Sequence, residues 1–115
     1  MTKLEMAELV QRQLDFYNRL ELDGFCSCYH DAIQIMNLIS NQVTCSGIND
    51  FKRMYRILFT SSPKLKCELK SRLVFESAVV DEEFVTGLDK YPSGLHISVI
   101  YGFRDGLINR VWFPR

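Results

Sequence analysis

The sequence predicts an α+β fold in which a curved antiparallel sheet wraps N-terminal helices into a cone and encloses a pocket. Three observations carry this reading. The N-terminal part repeats its apolar residues with a helical period, and the period changes to two after Pro63. The chain then closes on Phe103–Phe113, which reads as strand, Asp105-Gly106 turn and strand, a strong local hairpin signal. A sheet with one apolar face must bury that face, here against the helices. Such a wrap leaves a cavity of the kind in which small-molecule sites lie.

Each element has its own warrant. Leu4 to Leu20 is a helix with Leu9, Val10, Leu14, Phe16, Tyr17 and Leu20 on one broad apolar side. Thr2 serves as its N-cap, and Glu5 completes a capping box. Glu21 to Gly24 turns the chain, and a short helix runs from Leu22 or Asp23 to about Tyr29. Ile33 to Leu38 reads as a strand, and Asn41 to Ser46 as a second strand or hairpin arm ended by Gly47. Ile48 to Ser61 is helical again, capped by Asn49 or Ser46, with an inner stripe of Phe51, Met54, Tyr55, Leu58 and Phe59. Ser61-Ser62-Pro63 stops it.

Beyond that point the pattern is strand. Leu65, Cys67, Leu69, Ser71, Leu73 and Phe75 alternate with a wet face of Lys64, Lys66, Glu68, Lys70 and Arg72. Val79 to Leu88 follows, interrupted by the acidic Asp81-Glu82-Glu83. Asp89 to Gly94 is a turn. Leu95 to Arg104 and Leu107 to Phe113 form the closing hairpin.

The bulk numbers narrow the class of function. A chain of 115 residues builds one core, so residues 1–115 are read as a single domain. Its 14 basic and 14 acidic residues cancel. That balance argues against a nucleic-acid surface and supplies no polybasic handle for a membrane. No apolar run reaches the ~20 residues of a membrane helix, and Met1 to Glu5 opens no signal peptide. Cys26, Cys28, Cys45 and Cys67 lack zinc spacing and read as reduced, buried thiols of a cytoplasmic protein. No metal or cofactor is expected.

Several segments together resemble one superfamily. They are Leu9-Val10-Gln11-Arg12, the Leu22-Asp23-Gly24-Phe25 turn, Tyr29-His30-Asp31-Ala32, Ser46-Gly47 before a helix carrying Phe51 and Tyr55, and Arg104-Asp105-Gly106-Leu107-Ile108-Asn109-Arg110-Val111-Trp112. In order and spacing these resemble the nuclear-transport-factor-two-like superfamily, in its SnoaL-like and ketosteroid-isomerase-like branch, over essentially the whole chain. The resemblance implies an α+β cone with a deep pocket, often dimeric through the outer face of the sheet. Its members include isomerases, polyketide cyclases, dehydratases, hydrolases and non-catalytic binding modules, so fold alone does not assign a reaction.

Carried over by position, the resemblance puts Gln13 where the isomerases hold an oxyanion-hole tyrosine, Asn37 at the base aspartate and Ile100 at the protonated acid. An amide donates hydrogen bonds but is no general base near neutral pH. Steroid isomerisation is therefore not expected. His96, Ser98 and Ile100 share one face of their strand, and the same alignment turns that face to the pocket. His96 is then the proton carrier, the role a histidine in a mostly apolar pocket can take; the alternative is an exposed residue at the start of the strand. Tyr17, on the helical face of Gln13, and Tyr55 on the third helix are expected to orient the ligand or fill the core.

His30 is read as a capping or surface residue, and Arg110 as an outer-face partner of Glu68 or Glu76. An epoxide hydrolase of the limonene type would want an inward Asp-Arg-Asp set, which the sequence does not place. The expected activity is proton transfer on a small apolar, ring-containing molecule by an isomerase or cyclase. The alternative is a non-catalytic binding or interaction module. A homodimer through the sheet is expected in either case.

Overall fold

The structure, a computed structural model, describes residues 1–114. Three helices and six strands follow the order α1 (Lys3–Asn18), α2 (Leu22–Ser27), β1 (Tyr29–Asn37), β2 (Val43–Ser46), α3 (Ile48–Ser61), β3 (Lys66–Val74), β4 (Ala78–Thr86), β5 (Leu95–Arg104) and β6 (Leu107–Phe113). The strands form one sheet in the order β2-β1-β6-β5-β4-β3. The α+β reading holds, with one correction. The sheet is mixed, because β1 runs parallel to β6 while every other neighbouring pair is antiparallel. The chain leaves β1 for an edge strand and a helix and returns through β3–β6, so β6 arrives beside β1 in the same sense.

Local chemistry accounts for the element ends. The Thr2 hydroxyl accepts from the Glu5 amide at 3.1 Å, and the Thr2 amide donates to the Glu5 carboxylate at 2.7 Å, which completes the expected capping box. Helix α3 is capped by Gly47 rather than Ser46 or Asn49; at φ 88° this is a conformation suited to glycine. Asp105 and Gly106 have φ of 53° and 77°, the two positive values of a type I′ hairpin turn.

Two strands depart from strict alternation. The first strand begins at Tyr29, four residues before the expected start at Ile33, and its register with β6 shifts between Tyr29 and Gln34. In β3 the register with β4 shifts between Leu69 and Ser71. This bulge inserts one residue and exchanges the faces beyond it. Cys67 and Leu69 point inward before the bulge. After it Arg72 and Val74 are the more buried positions, while Leu73 and Phe75 stand 59% and 52% exposed. The expected wet face therefore loses Arg72 to the interior.

Helix α1 packs on β3 and β4, and α3 packs on β1 and β2. Asn18, at the end of α1, clamps β3: its side chain donates to the Cys67 carbonyl at 2.9 Å and accepts from the Cys67 amide at 2.7 Å. The centre is aromatic. The Phe25 ring stacks on Phe51 at 5.6 Å and meets Tyr55 at 4.7 Å, and Tyr29 meets Phe51 at 4.4 Å. Of the expected α3 stripe, Phe51 and Phe59 are buried and Tyr55 and Leu58 partly so, whereas Met54 is 40% exposed and faces out.

Candidate functional site

A cavity of about 60 Å³ lies between α1, α2, α3 and the inner face of the sheet. Its polar wall is built from side chains that sequence-distant elements bring together. Gln13, on α1, bridges two strands: its amide accepts from the Tyr29 hydroxyl at 2.8 Å and donates to the Tyr101 hydroxyl at 3.2 Å and to the Val10 carbonyl at 2.9 Å. Tyr17 of α1 and Tyr55 of α3 complete the tyrosine set, their ring centroids 6.5 Å apart. Val85, Ile97, Val99, Val111 and Phe113 supply an apolar wall from the sheet.

Glu83, on β4, is the acid in this lining, and it is only 5% exposed. Burial, and then the nearby Asp81 carboxylate, push its pKa up to about 7; the Cys67 thiol and the Arg72 charge oppose this only in part. Near neutral pH the group thus exists as both acid and carboxylate, the condition under which a carboxyl gives and takes protons efficiently. Burial raises the phenols of Tyr17, Tyr29, Tyr55 and Tyr101, so all four remain neutral hydrogen-bonding groups. Burial also raises the Cys67 thiol, with the Glu83 charge adding to it, and keeps it from acting as a thiolate.

Behind Glu83 lies a buried ion pair. Arg72 donates to Asp81 through Nε at 2.7 Å and Nη2 at 2.9 Å, and through Nη1 to the Gln11 side chain at 3.0 Å. Asp81 is fully buried and the Arg72 side chain is 14% exposed. The inward acid–arginine–acid grouping that the sequence did not place is thus present in part as Asp81, Arg72 and Glu83. Of the three only Glu83 lines the cavity.

Gln13, Tyr17 and Tyr55 are brought together along the cavity. Four other candidates are not. His96, Ser98 and Ile100 lie on the opposite face of β5, because Ile97, Val99 and Tyr101 are the residues turned to the cavity. The alignment had the strand in the wrong phase, and a shift of one residue reverses every side chain. The His96 side chain is 64% exposed on the outer face, with Nε2 2.6 Å from Glu82 Oε2. Asn37 ends β1 and turns its amide oxygen to the backbone, accepting from the Ile39 and Ser40 amides at 2.9 and 3.0 Å. That is an Asx turn rather than a place at the cavity.

His30 lies near the surface, accepting at Nδ1 from the Ala32 amide, which leaves Nε2 to donate to Asp105 at 3.2 Å. The expected Arg110 pair does not form: Glu68 meets Lys70 and Glu76 meets Lys3, while Arg110 is exposed.

Sequence reasoning missed Glu83, Tyr29 and Tyr101. For Glu83 a signal was there. Val79, Asp81, Glu83 and Val85 share one face at period two, so the acids did not interrupt the strand but occupied its buried side.

Among the described residues no helix is long and apolar enough to cross a membrane. No family model and no curated protein sequence matches the chain. Solved structures do. An uncharacterised cystatin-fold protein from Novosphingobium aromaticivorans superposes with a TM-score of 0.85 at 22% identity, over 100% of this chain and 99% of that one. A SnoaL-like protein of unknown function from Burkholderia thailandensis gives 0.81 at 15%, over 97% and 94%. A proposed ketosteroid isomerase from Kribbella flavida gives 0.77 at 18%, over 99% and 80%. The chain therefore has the fold of the nuclear-transport-factor-two-like proteins, among them SnoaL-like and ketosteroid-isomerase-like ones.

Proposed function

We propose that the cavity binds a small, largely apolar molecule and that Glu83 moves a proton on it, as an isomerase or cyclase of the SnoaL-like kind would. The observation that carries this is a single buried carboxyl, poised near neutral pH, in a pocket rimmed by phenols. The Tyr17 and Tyr55 hydroxyls have no hydrogen-bond partner among the described residues and are suited to hold a carbonyl oxygen. The Glu83 carboxylate then takes the proton from the adjacent carbon, the phenols stabilise the enolate oxygen, and the protonated Glu83 returns the proton to a different carbon. Atoms balance without a cofactor. A cavity of about 60 Å³ is far below the ~300–1,000 Å³ of drug-sized sites, which favours a substrate of one ring at most over a steroid.

The test is deuterium exchange at the carbon next to the carbonyl, followed by proton NMR in heavy water over a panel of small cyclic ketones. The wild type should accelerate exchange for at least one of them and Glu83→Gln should lose the effect. Exchange that survives Glu83→Gln would remove Glu83 from the chemistry.

A second reading, compatible with the first, is a homodimer through the outer sheet face. Cross-strand register aligns Leu73, Val80, Ile100, Trp112, Met36 and Val43 in one apolar row across all six strands. Its end members Leu73 and Val43 are 59% and 47% exposed. A continuous apolar band of this kind favours a second copy as its cover. The four cysteines are buried and unbridged, which suits a reducing compartment such as the cytoplasm.

A further inference from the structure

The Arg72–Asp81 pair has no place in the chemistry above, yet its position bears on Glu83. The bulge between Leu69 and Ser71 turns Arg72 inward, directly opposite Asp81 and diagonal to Glu83. Diagonal neighbours on one sheet face lie about 7–8 Å apart, within reach of an arginine side chain. A buried guanidinium beside a buried carboxyl would ordinarily take it as an ion-pair partner, and Glu83 would then be a fixed carboxylate. It does not do so here. Two edges of the Arg72 fork are occupied, one by Asp81 through two hydrogen bonds and one by Gln11. The groups facing Glu83 are Asp81 from its own strand, Arg72 and Cys67 from β3, Tyr17 from α1, Tyr29 from β1, Tyr55 from α3 and Tyr101 from β5. Arg72 is the one cation in that set.

We propose that Asp81 is a positioning residue for the cavity: by holding Arg72 in a bidentate pair it keeps the guanidinium off Glu83 and leaves that carboxyl able to exchange protons with a ligand. Its functional meaning rests on Glu83 being the proton carrier, but the arrangement is testable in the ligand-free protein, so either idea can fail without the other. Asp81 acts twice in the same direction. It occupies the cation, and its own negative charge opposes ionisation of Glu83. The neutral Asn side chain removes both effects, whereas removing Arg72 as well leaves Glu83 with no cation to meet.

The experiment is a carbon-13 NMR titration of the Glu83 side-chain carboxyl in wild type, Asp81→Asn and the double variant Arg72→Met/Asp81→Asn. In Asp81→Asn the midpoint should fall by about 1–3 pH units as Arg72 turns to Glu83. In the double variant it should return to within about one unit of wild type, because burial alone then governs it. An unchanged midpoint in Asp81→Asn, or an equal fall in the double variant, overturns the proposal. A purely structural role for Asp81 would not distinguish these two proteins. A crystal structure of the wild type at pH 9 tests the same arrangement should Asp81→Asn fail to fold. Arg72 is expected to remain bidentate on Asp81, and Arg72 found on Glu83 instead overturns it.

Discussion

Replacing Glu83 by glutamine should change how stability depends on pH more than it changes stability itself. Glu83 is 5% exposed, and its pKa moves from an ordinary 4.5 to about 7 in the folded chain. Between those two values the native state binds more protons than the unfolded state, so stability falls as pH rises through that window. Below pH 4.5 the group is protonated in both states and the contribution is fully retained. Above pH 7 the folded chain carries a buried carboxylate. The gap corresponds to about 3 kcal/mol, a large share of the ~5–15 kcal/mol typical of a domain. Glutamine keeps the shape and stays neutral.

Urea unfolding at pH 5 and pH 8.5, run on both proteins, isolates this contribution, because every other titration cancels in the difference. At pH 5 the two should agree within about 1 kcal/mol. At pH 8.5 Glu83→Gln should be the more stable by about 3 kcal/mol, a rise in midpoint of roughly 1–3 M for ordinary urea slopes. A difference that is the same at both pH values would refute the buried, protonatable Glu83. So would a wild type that gains on the variant as pH rises.

Three further outcomes follow from the same geometry. His96→Ala should leave any Glu83-dependent exchange intact and move stability by no more than about 0.5 kcal/mol, since the ring is exposed on the far face of the sheet; loss of exchange would restore His96 as a proton carrier. Gln13→Leu should cost about 1–3 kcal/mol in denaturant unfolding, because it strips the partner from the Tyr29 and Tyr101 hydroxyls at once. Ile100→Asp, at the middle of the outer apolar row, should convert a dimer to a folded monomer in sedimentation equilibrium; a wild type that is already monomeric at micromolar concentration removes the dimer.

What was legible in the sequence, and what was not, divides along one physical line. Most signals written within a few residues were read correctly: the Thr2–Glu5 capping box, the Asp105-Gly106 hairpin turn and the halt at Pro63 all depend on local backbone chemistry, although the α3 cap read at Ser46 or Asn49 fell to Gly47. Signals that depend on strand phase were not. The β3 bulge moves Arg72 inside and Leu73 and Phe75 outside, and nothing in an alternating run marks where a residue will be inserted. The choice of face on β5 is of the same kind, and it sent His96 to the pocket on paper and to the surface in the fold. Gln13 and Tyr17 line the cavity together because helical neighbours at fixed spacing share a face whatever the sheet does.

The acids of β4 show how the two kinds of signal meet. Asp81, Glu82 and Glu83 look like a break in a strand only if charge is assumed to mean exposure. Read at period two, the outer two belong with Val79 and Val85, and a buried face with two carboxylates must answer for both. One answer is a cation, and Arg72 supplies it to Asp81. Among the described residues there is one inward arginine for two inward acids, so the second acid is left with its pKa raised to about 7. The unpaired member is the one at the cavity. The shortage of positive charge that would count as a defect in a structural core is therefore what leaves the cavity a carboxyl that titrates near neutral pH, and a second cation there, introduced as Cys67→Lys, should lower the midpoint of the Glu83 carboxyl in a carbon-13 NMR titration by about 1–3 pH units. An unchanged Glu83 midpoint in folded Cys67→Lys would show that Glu83 is held neutral by something other than the missing cation.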